Sequence, residues 1–167
     1  MRIPLPTLSV VLAILMTRAA IAQDAVVVND TAGFQRALRD AKAGQTIRVQ
    51  PGTYRGGISA SGLRGEKGKP IILEGADEQN LPLIEGGGSG LQLSDCRYVT
   101  IRRLRLRGAT GNGINIDDGG NMDQSSVGIV VEHCRIEDVG PRGNTDGIKM
   151  SGLREFAVRD CHVEGWG

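Results

Sequence analysis

The stretch that decides the fold is GIKMSGLREFAVRDCHVEGWG (residues 147–167), because it repeats an earlier part of the same chain. That earlier part is GLQLSDCRYVTIRRLRLRG (residues 90–108). When the two are aligned, apolar positions coincide, as Leu91 and Ile148 do, whereas the residues between them differ. Apolar positions that recur at a fixed spacing indicate a repeated structural unit.

A third copy lies between these two. VEHCRIEDVG (residues 131–140) and VRDCHVEGWG (residues 158–167) share Val, Cys, Glu and Gly at equivalent positions, 27 residues apart. In each copy apolar and polar residues alternate, as in the Leu-Gln-Leu of residues 91–93, and glycines separate the alternating segments. Alternation with period two predicts strands, and the glycines predict turns. Units of this kind bury their apolar side only by stacking.

We therefore predict an all-β fold, a parallel β-helix (solenoid) in which each repeat forms one coil. A leucine-rich repeat is excluded because its LxxLxLxxN pattern is missing. Residues 45–167 would form the coils, with the solenoid truncated after about four of them. Residues 23–44 would supply a strand and a capping helix that starts at Asp30 or Thr31 and ends at Gly44. The buried face of this helix would consist of Phe34, Ala37, Leu38 and Ala41.

The first 22 residues have the features of a secretory signal peptide. Arg2 precedes a short apolar run, and Ala20-Ile21-Ala22 forms an A-x-A cleavage site. The run is too short to span about 30 Å of hydrocarbon, and Arg18 interrupts it. We predict cleavage after Ala22 and a secreted or periplasmic protein that has no membrane span once it is cleaved.

The composition excludes some partners and metal sites. Without the signal peptide the chain has 18 basic and 19 acidic residues, or a net charge of −1, which gives no reason to expect nucleic acid binding. Cys96, Cys134 and Cys161 form no C-x-x-C pair, so a zinc site is not expected. Cys134 and Cys161 fall at one repeat position, and we interpret them as small apolar residues of the stacked core.

Three segments carry a resemblance to a known superfamily: residues 34–58 (FQRALRDAKAGQTIRVQPGTYRGGI), 68–77 (GKPIILEGAD) and 82–109 (PLIEGGGSGLQLSDCRYVTIRRLRLRGA). They resemble the N-terminal part of right-handed parallel β-helix proteins of the pectin-lyase-like superfamily, in particular the branch of chondroitinase B and the alginate lyases. The resemblance implies a right-handed β-helix that acts on acidic polysaccharides, and a lyase for uronate-containing glycans is our first hypothesis. In that branch the catalytic and calcium-binding residues lie on later coils, and none of them corresponds to a motif of this chain.

Two other functions remain open, because this superfamily also contains hydrolases, epimerases and non-catalytic proteins. One is a non-catalytic carbohydrate-binding or surface β-helix, and the other is a polygalacturonase-like glycoside hydrolase. The second rests on NTDG (residues 144–147), which resembles the N-T-D motif of those hydrolases and would make Asp146 an acid or base, with Asn144 beside the substrate. It is less favoured, because the D-D pair of those enzymes is missing one coil later.

The candidate lyase site lies on the outward face of the first strand of each repeat. There Gln92 and Asn115 would bind the acidic glycan, and Lys149 would remove a proton if its pKa were lowered. Carboxylates from the edge of the strands would converge there with Asn144 and Asp146, and three of them, Asp117, Asp118 and Asp123, would bind calcium. The alternative is that the aspartates only form turns and that Lys149 is solvated.

A second outward face carries a basic stripe. Arg105 and Arg135 share one column with His162 and are further candidates for binding an acidic glycan. Two neighbouring columns mix opposite charges, namely Arg103/His133/Asp160 and Arg107/Glu137/Glu164. We therefore favour a ladder of solvated charges, whose ion pairs each contribute at most about 1 kcal/mol. The sequence leaves open which polysaccharide is bound and in which oligomeric state.

Overall fold

The computed structural model describes residues 25–120, 123, 125–140 and 143–167. The predicted signal peptide lies outside this part of the chain. Within it, no helix combines the length and the apolar character that crossing a membrane requires.

The described chain begins with strand β1 (Val26–Val28) and helix α1 (Thr31–Arg39). Asp30 caps the helix, since its Oδ1 accepts a hydrogen bond of 2.6 Å from the amide of Gly33. Phe34, Ala37 and Leu38 are buried as predicted, and the helix covers the first coil. The predicted end at Gly44 is wrong: the helix stops at Arg39, and Gly44 lies in the turn that follows it, with φ of 80°.

Four complete coils of three strands each follow in the described part of the chain. The first consists of β2 (Thr46–Val49), β3 (Thr53–Arg55) and β4 (Ile58–Ser61), and the second of β5 (Ile71–Gly75), β6 (Leu83–Glu85) and β7 (Leu91–Ser94). The third consists of β8 (Arg97–Arg102), β9 (Arg105–Arg107) and β10 (Ile114–Asp117), and the fourth of β11 (Ser126–Glu132), β12 (Arg135–Val139) and β13 (Ile148–Met150). A further coil begins with β14 (Leu153–Arg154), β15 (Ala157–Arg159) and β16 (His162–Trp166).

Equivalent strands of successive coils pair in parallel and form three sheets. The first sheet has the order β1-β2-β5-β8-β11-β14, with β15 also paired to β11. The second is β3-β6-β9-β12-β16, and the third is β4-β7-β10-β13. Leu91, Ile114 and Ile148 are neighbours in the third sheet, as the sequence repeat predicts. The predicted parallel β-helix of about four coils is thereby confirmed.

The interior consists of ladders of aliphatic side chains with few aromatic rings. Leu91, Ile114 and Ile136 are fully buried in such ladders, and Cys134 is 2% exposed, as expected of an apolar filler. Phe34 and Tyr54 pack edge to face under the capping helix, with ring centroids 6.2 Å apart. The core thus grows by one layer per coil, and each layer contacts only its neighbours.

Sharp bends between the first and second sheets set the directions of the charged side chains. Arg103, His133 and Asp160 stack as predicted, but with φ of 55°, 51° and 49° they form the corner of three coils rather than part of a strand.

At the entry to the third sheet the chain needs a glycine. A Cβ at Gly113 would lie 2.4 Å from Cγ2 of Ile136 and 2.6 Å from the carbonyl oxygen of Gly147.

Candidate functional site

The outward face of the third sheet carries the polar residues that the sequence singled out. Asn115 is paired in register with Gln92 on one side and with Lys149 on the other. Asp117 is paired with Ser94 in the next outward column. The predicted columns are therefore present, because in-register parallel pairing places equivalent residues of successive coils side by side.

Hydrogen bonds between side chains hold the amides of this face in place. Asn115 Nδ2 donates to Gln92 Oε1 at 2.7 Å, and Gln92 Nε2 donates to Asp117 Oδ2 at 2.8 Å. Gln92 Nε2 also lies 3.2 Å from Ser94 Oγ. The network crosses two coils and ends at a carboxylate, so that the orientation of both amides is determined by their partners.

Two groups at one end of this network have no partner among the described residues. Asn115 Oδ1 is buried and accepts no hydrogen bond there. On the adjacent strand, Lys149 is partly exposed, and no ion pair joins its ammonium group to the described side chains. A buried carbonyl oxygen normally has a donor. Of these two groups, Lys149 is the one that a ligand on this face can reach.

The three aspartates predicted to bind calcium do not form a metal site in the structure. Asp117 Oδ1 accepts from the amide of Gly119 and Asp118 Oδ1 from that of Gly120, both at 2.9 Å, as in turns that begin with aspartate. Asp123 is exposed in the loop beyond them. Among the described residues, no three His, Cys, Asp or Glu side chains are grouped to hold a metal ion. Calcium binding by these aspartates therefore stays a prediction.

Asp146 lies at the opposite end of the third sheet from Asp117. Its amide donates to Asn112 Oδ1 at 2.9 Å, which places it just before strand β13 begins. Asp117 is the last residue of strand β10, three residues beyond Ile114, which at about 3.3 Å per residue amounts to roughly 10 Å. The predicted convergence of the carboxylates with Asn144 and Asp146 on one edge is therefore wrong.

Arg105 and Arg135, the other predicted glycan-binding residues, are engaged by a glutamate. Glu137 is 4% exposed and lies between them, with Arg105 Nε at 2.6 Å and Arg135 also in contact. Burial by itself raises the pKa of Glu137, but hydrogen bonds from the two arginines outweigh it and hold that pKa below its ordinary value. The predicted ladder of opposite charges is therefore present on this face, but its carboxylate Glu137 is buried and not solvated.

A second buried carboxylate, that of Glu74, is not among the residues that the sequence pattern singled out. It is 2% exposed and contacts Arg48 at 2.9 Å and Arg102 and Arg103 at 2.6 Å each. Burial raises the pKa of Glu74, yet hydrogen bonds from Arg102 and Arg48 lower it below its ordinary value. A signal was present, since one column of the first sheet alternates in charge. Its members are Arg48, Glu74, Arg102, Glu132 and Arg159.

A cleft of about 440 Å³ opens beside this cluster, at the corner between the first and second sheets. Its lining residues are Glu78, Leu81, Arg102, Arg103, Glu132 and His133. The guanidinium groups of Arg102 and Arg103 already donate to Glu74. We therefore prefer the third sheet as the candidate site, because Lys149 and Asn115 Oδ1 have no such partner among the described residues.

Several polysaccharide lyases of known structure are similar to this chain. An alginate lyase from Paenibacillus sp. str. FPU-7 superimposes with a TM-score of 0.57 at 22% identity, over 82% of this chain and 43% of its own. The chain has the fold of the alginate-lyase β-helices. A mannuronic acid specific family 6 lyase from human gut microbiota gives a TM-score of 0.63 at 19% identity, over 86% and 35% of the two chains. The family 6 alginate lyase AlyGC gives a TM-score of 0.54 at 24% identity, over 69% of this chain and 16% of its own.

These similarities concern the fold, because the sequence identities are low. The chain spans less than half the length of each of these lyases. No protein-family model matches it, and no curated protein does. The resemblance inferred from the sequence is confirmed for the architecture, and the activity is a separate question.

Proposed function

We propose that the chain belongs to an exported polysaccharide lyase that acts on uronate-containing glycans, with its substrate lying across the outward face of the third sheet. Export rests on the predicted signal peptide. The lyase activity is supported by the names of the proteins that share the fold, two of which are alginate lyases. The single observation that carries the proposal is the position of Lys149, which is partly exposed at the end of a row of polar residues and makes no ion pair with the described side chains.

Equivalent positions of successive coils offer an extended glycan a row of similar groups. The row on the third sheet runs from Ser59 through Gln92 and Asn115 to Lys149. Neighbouring strands lie about 4.8 Å apart, so the row is about 14 Å long, enough for two to three sugar rings. Lys149 lies at one end of this row, is partly exposed and would contact the uronate of the bound glycan.

The reaction is a β-elimination at a uronate. The nitrogen of Lys149, acting as the base, takes the proton from the carbon beside the carboxylate, and the electron pair of that C–H bond forms a carbon–carbon double bond. The bond to the glycosidic oxygen on the next carbon breaks, and that oxygen takes up a proton from the surrounding water and leaves as a hydroxyl group. Asp146 lies three residues before Lys149 and precedes strand β13, and its role as an acid or base stays a prediction.

The test is to incubate the whole chain with alginate, pectate and chondroitin sulfate, each with added calcium and with a chelator. The unsaturated product absorbs in the ultraviolet, so that β-elimination is followed directly. Lys149→Ala removes the proposed base, and Lys67→Ala serves as the matched control, since Lys67 is exposed in a turn away from the third sheet. We expect a loss of at least about 100-fold for Lys149→Ala and none for Lys67→Ala.

Each outcome decides between the functions. Absorbance that disappears in Lys149→Ala supports the lyase and its base. Absorbance that persists in this variant rejects Lys149 as the base. Glycan binding without absorbance or new reducing ends favours a non-catalytic β-helix and refutes the lyase, whereas new reducing ends without absorbance favour a hydrolase. Activity that survives the chelator excludes the predicted calcium requirement.

A further inference from the structure

Cys134 and Cys161 lie side by side on successive coils. Their flanking residues are paired in register, Glu132 with Arg159 and Arg135 with His162. Within this register the amide of His162 donates to the carbonyl oxygen of Cys134 at 2.9 Å. The repeat that aligns the two cysteines in the sequence thus also brings them together in space.

The spacing of adjacent coils suits a disulfide bond. Neighbouring strands of a sheet are about 4.7–4.9 Å apart. The Cα atoms of disulfide-bonded cysteines are usually about 4.4–6.8 Å apart. Cys134 is buried in the core, and Cys161 packs against that core from the next coil. Each thiol donates to a nearby carbonyl oxygen, Cys134 Sγ to that of Glu132 at 3.4 Å and Cys161 Sγ to that of Arg159 at 3.2 Å.

Cys96 is excluded from this pair by its position. It follows strand β7 at the corner between the third and first sheets, whereas Cys134 precedes β12 at the other end of the first sheet. The six residues of β8 separate the two corners by roughly 20 Å, at about 3.3 Å per residue. Cys96 is fully buried, and its amide donates to Ser126 Oγ at 3.0 Å.

We propose that Cys134 and Cys161 form a disulfide that joins two successive coils, and that Cys96 remains a free thiol. The oxidant is a low-molecular-weight disulfide of the glutathione type, which an exported chain would meet in an oxidising compartment. The Cys161 thiolate attacks one sulfur of this oxidant and releases the other as a thiol. The thiolate of Cys134 then attacks Cys161 Sγ and releases the second thiol. Two protein thiols lose two protons and two electrons, and one disulfide is reduced to two thiols.

The order of attack follows from the surroundings of the two thiols. The interaction with the neighbouring Cys134 thiol lowers the pKa of Cys161 to about 6, against the opposing effect of burial. The interaction with Cys161 and burial both raise the pKa of Cys134. Cys161 is also the more exposed of the two, so that it is the sulfur that a soluble disulfide reaches first.

The experiment equilibrates the folded chain with glutathione disulfide, denatures it without reductant, and counts thiols with an alkylating reagent. We expect one labelled cysteine per chain, Cys96, and a peptide pair containing residues 134 and 161 that is lighter by two hydrogen atoms. Cys161→Ser should abolish the crosslink, whereas Cys96→Ser should leave it intact. Oxidation should raise the urea midpoint of the wild type and of Cys96→Ser, and leave that of Cys161→Ser unchanged.

Three results would overturn the proposal. One is the labelling of all three cysteines after oxidation. The second is glutathione that stays attached to Cys161, because Cys134 would then not have attacked it. The third is a crosslink that contains Cys96. None of these readouts depends on polysaccharide cleavage, so that the disulfide and the proposed lyase activity are tested independently.

Discussion

Replacing Glu74 by glutamine tests whether the buried carboxylate stabilises the coils. Its side chain is 3% exposed, and three guanidinium groups contact it within 2.9 Å. Removing one member of a buried ion pair costs about 3–5 kcal/mol. Glutamine keeps one acceptor oxygen, and the three arginine side chains are 46%, 32% and 28% exposed, so that solvent screens them in part. We therefore expect Glu74→Gln to lower the free energy of unfolding by about 3 kcal/mol.

The assay is urea denaturation, followed by far-ultraviolet circular dichroism. With a dependence of about 2 kcal/mol per molar urea, the expected loss moves the midpoint down by about 1.5 M. Glu85→Gln is the matched control, because Glu85 makes one exposed ion pair, with Arg107 at 2.6 Å. That pair contributes at most about 1 kcal/mol. If both variants unfold at the same urea concentration, the buried cluster does not stabilise the protein as we argue.

The pH dependence gives an independent check of the same cluster. The pKa of Glu74 in the folded protein lies below the ordinary value of 4.5. Its contribution to stability is therefore complete above pH 4.5 and disappears as the pH falls through the lower native pKa. The difference in stability between the wild type and Glu74→Gln should thus shrink on acidification. If the difference is unchanged down to pH 2, which is about two units below the pKa of a free glutamate, the predicted direction of the pH dependence is wrong.

Two further variants test the core and the cap by urea denaturation and hydrogen exchange. Ile116→Ala empties a fully buried position and should cost about 2–5 kcal/mol, whereas Val27→Ala, at a position that is 58% exposed, should change stability by less than about 0.5 kcal/mol. Similar losses in both would refute the stacked core. Asp30→Ala removes the helix cap and should cost about 1 kcal/mol with faster amide exchange at Gly33, which Asp40→Ala should not change. Unchanged exchange in Asp30→Ala would contradict the cap.

The sequence by itself determined the architecture and its inward-facing residues. Residues 91, 114 and 148 align in the repeat and are neighbours in the third sheet. The physical reason is that coils stack in register, so that aligning the repeat also aligns the strands. The same logic predicted the row of Gln92, Asn115 and Lys149, because alternation along a strand separates inward from outward residues. The buried face of helix α1 was likewise predictable, because Phe34, Ala37 and Leu38 recur at the spacing of a helical turn.

Only the tertiary structure decided which polar groups come together. Asp117 and Asp146 lie at opposite ends of the third sheet, because the strands are parallel and Asp117 is the last residue of its strand whereas Asp146 precedes its own. Glu74 is buried because Arg48 and Arg102 reach it from adjacent strands and Arg103 from the corner, where its φ of 55° directs it. Such a bend at a residue other than glycine has no clear sequence signal. Which charges are buried therefore depends on the side chains that reach them from neighbouring coils, as Arg105 and Arg135 also do for Glu137.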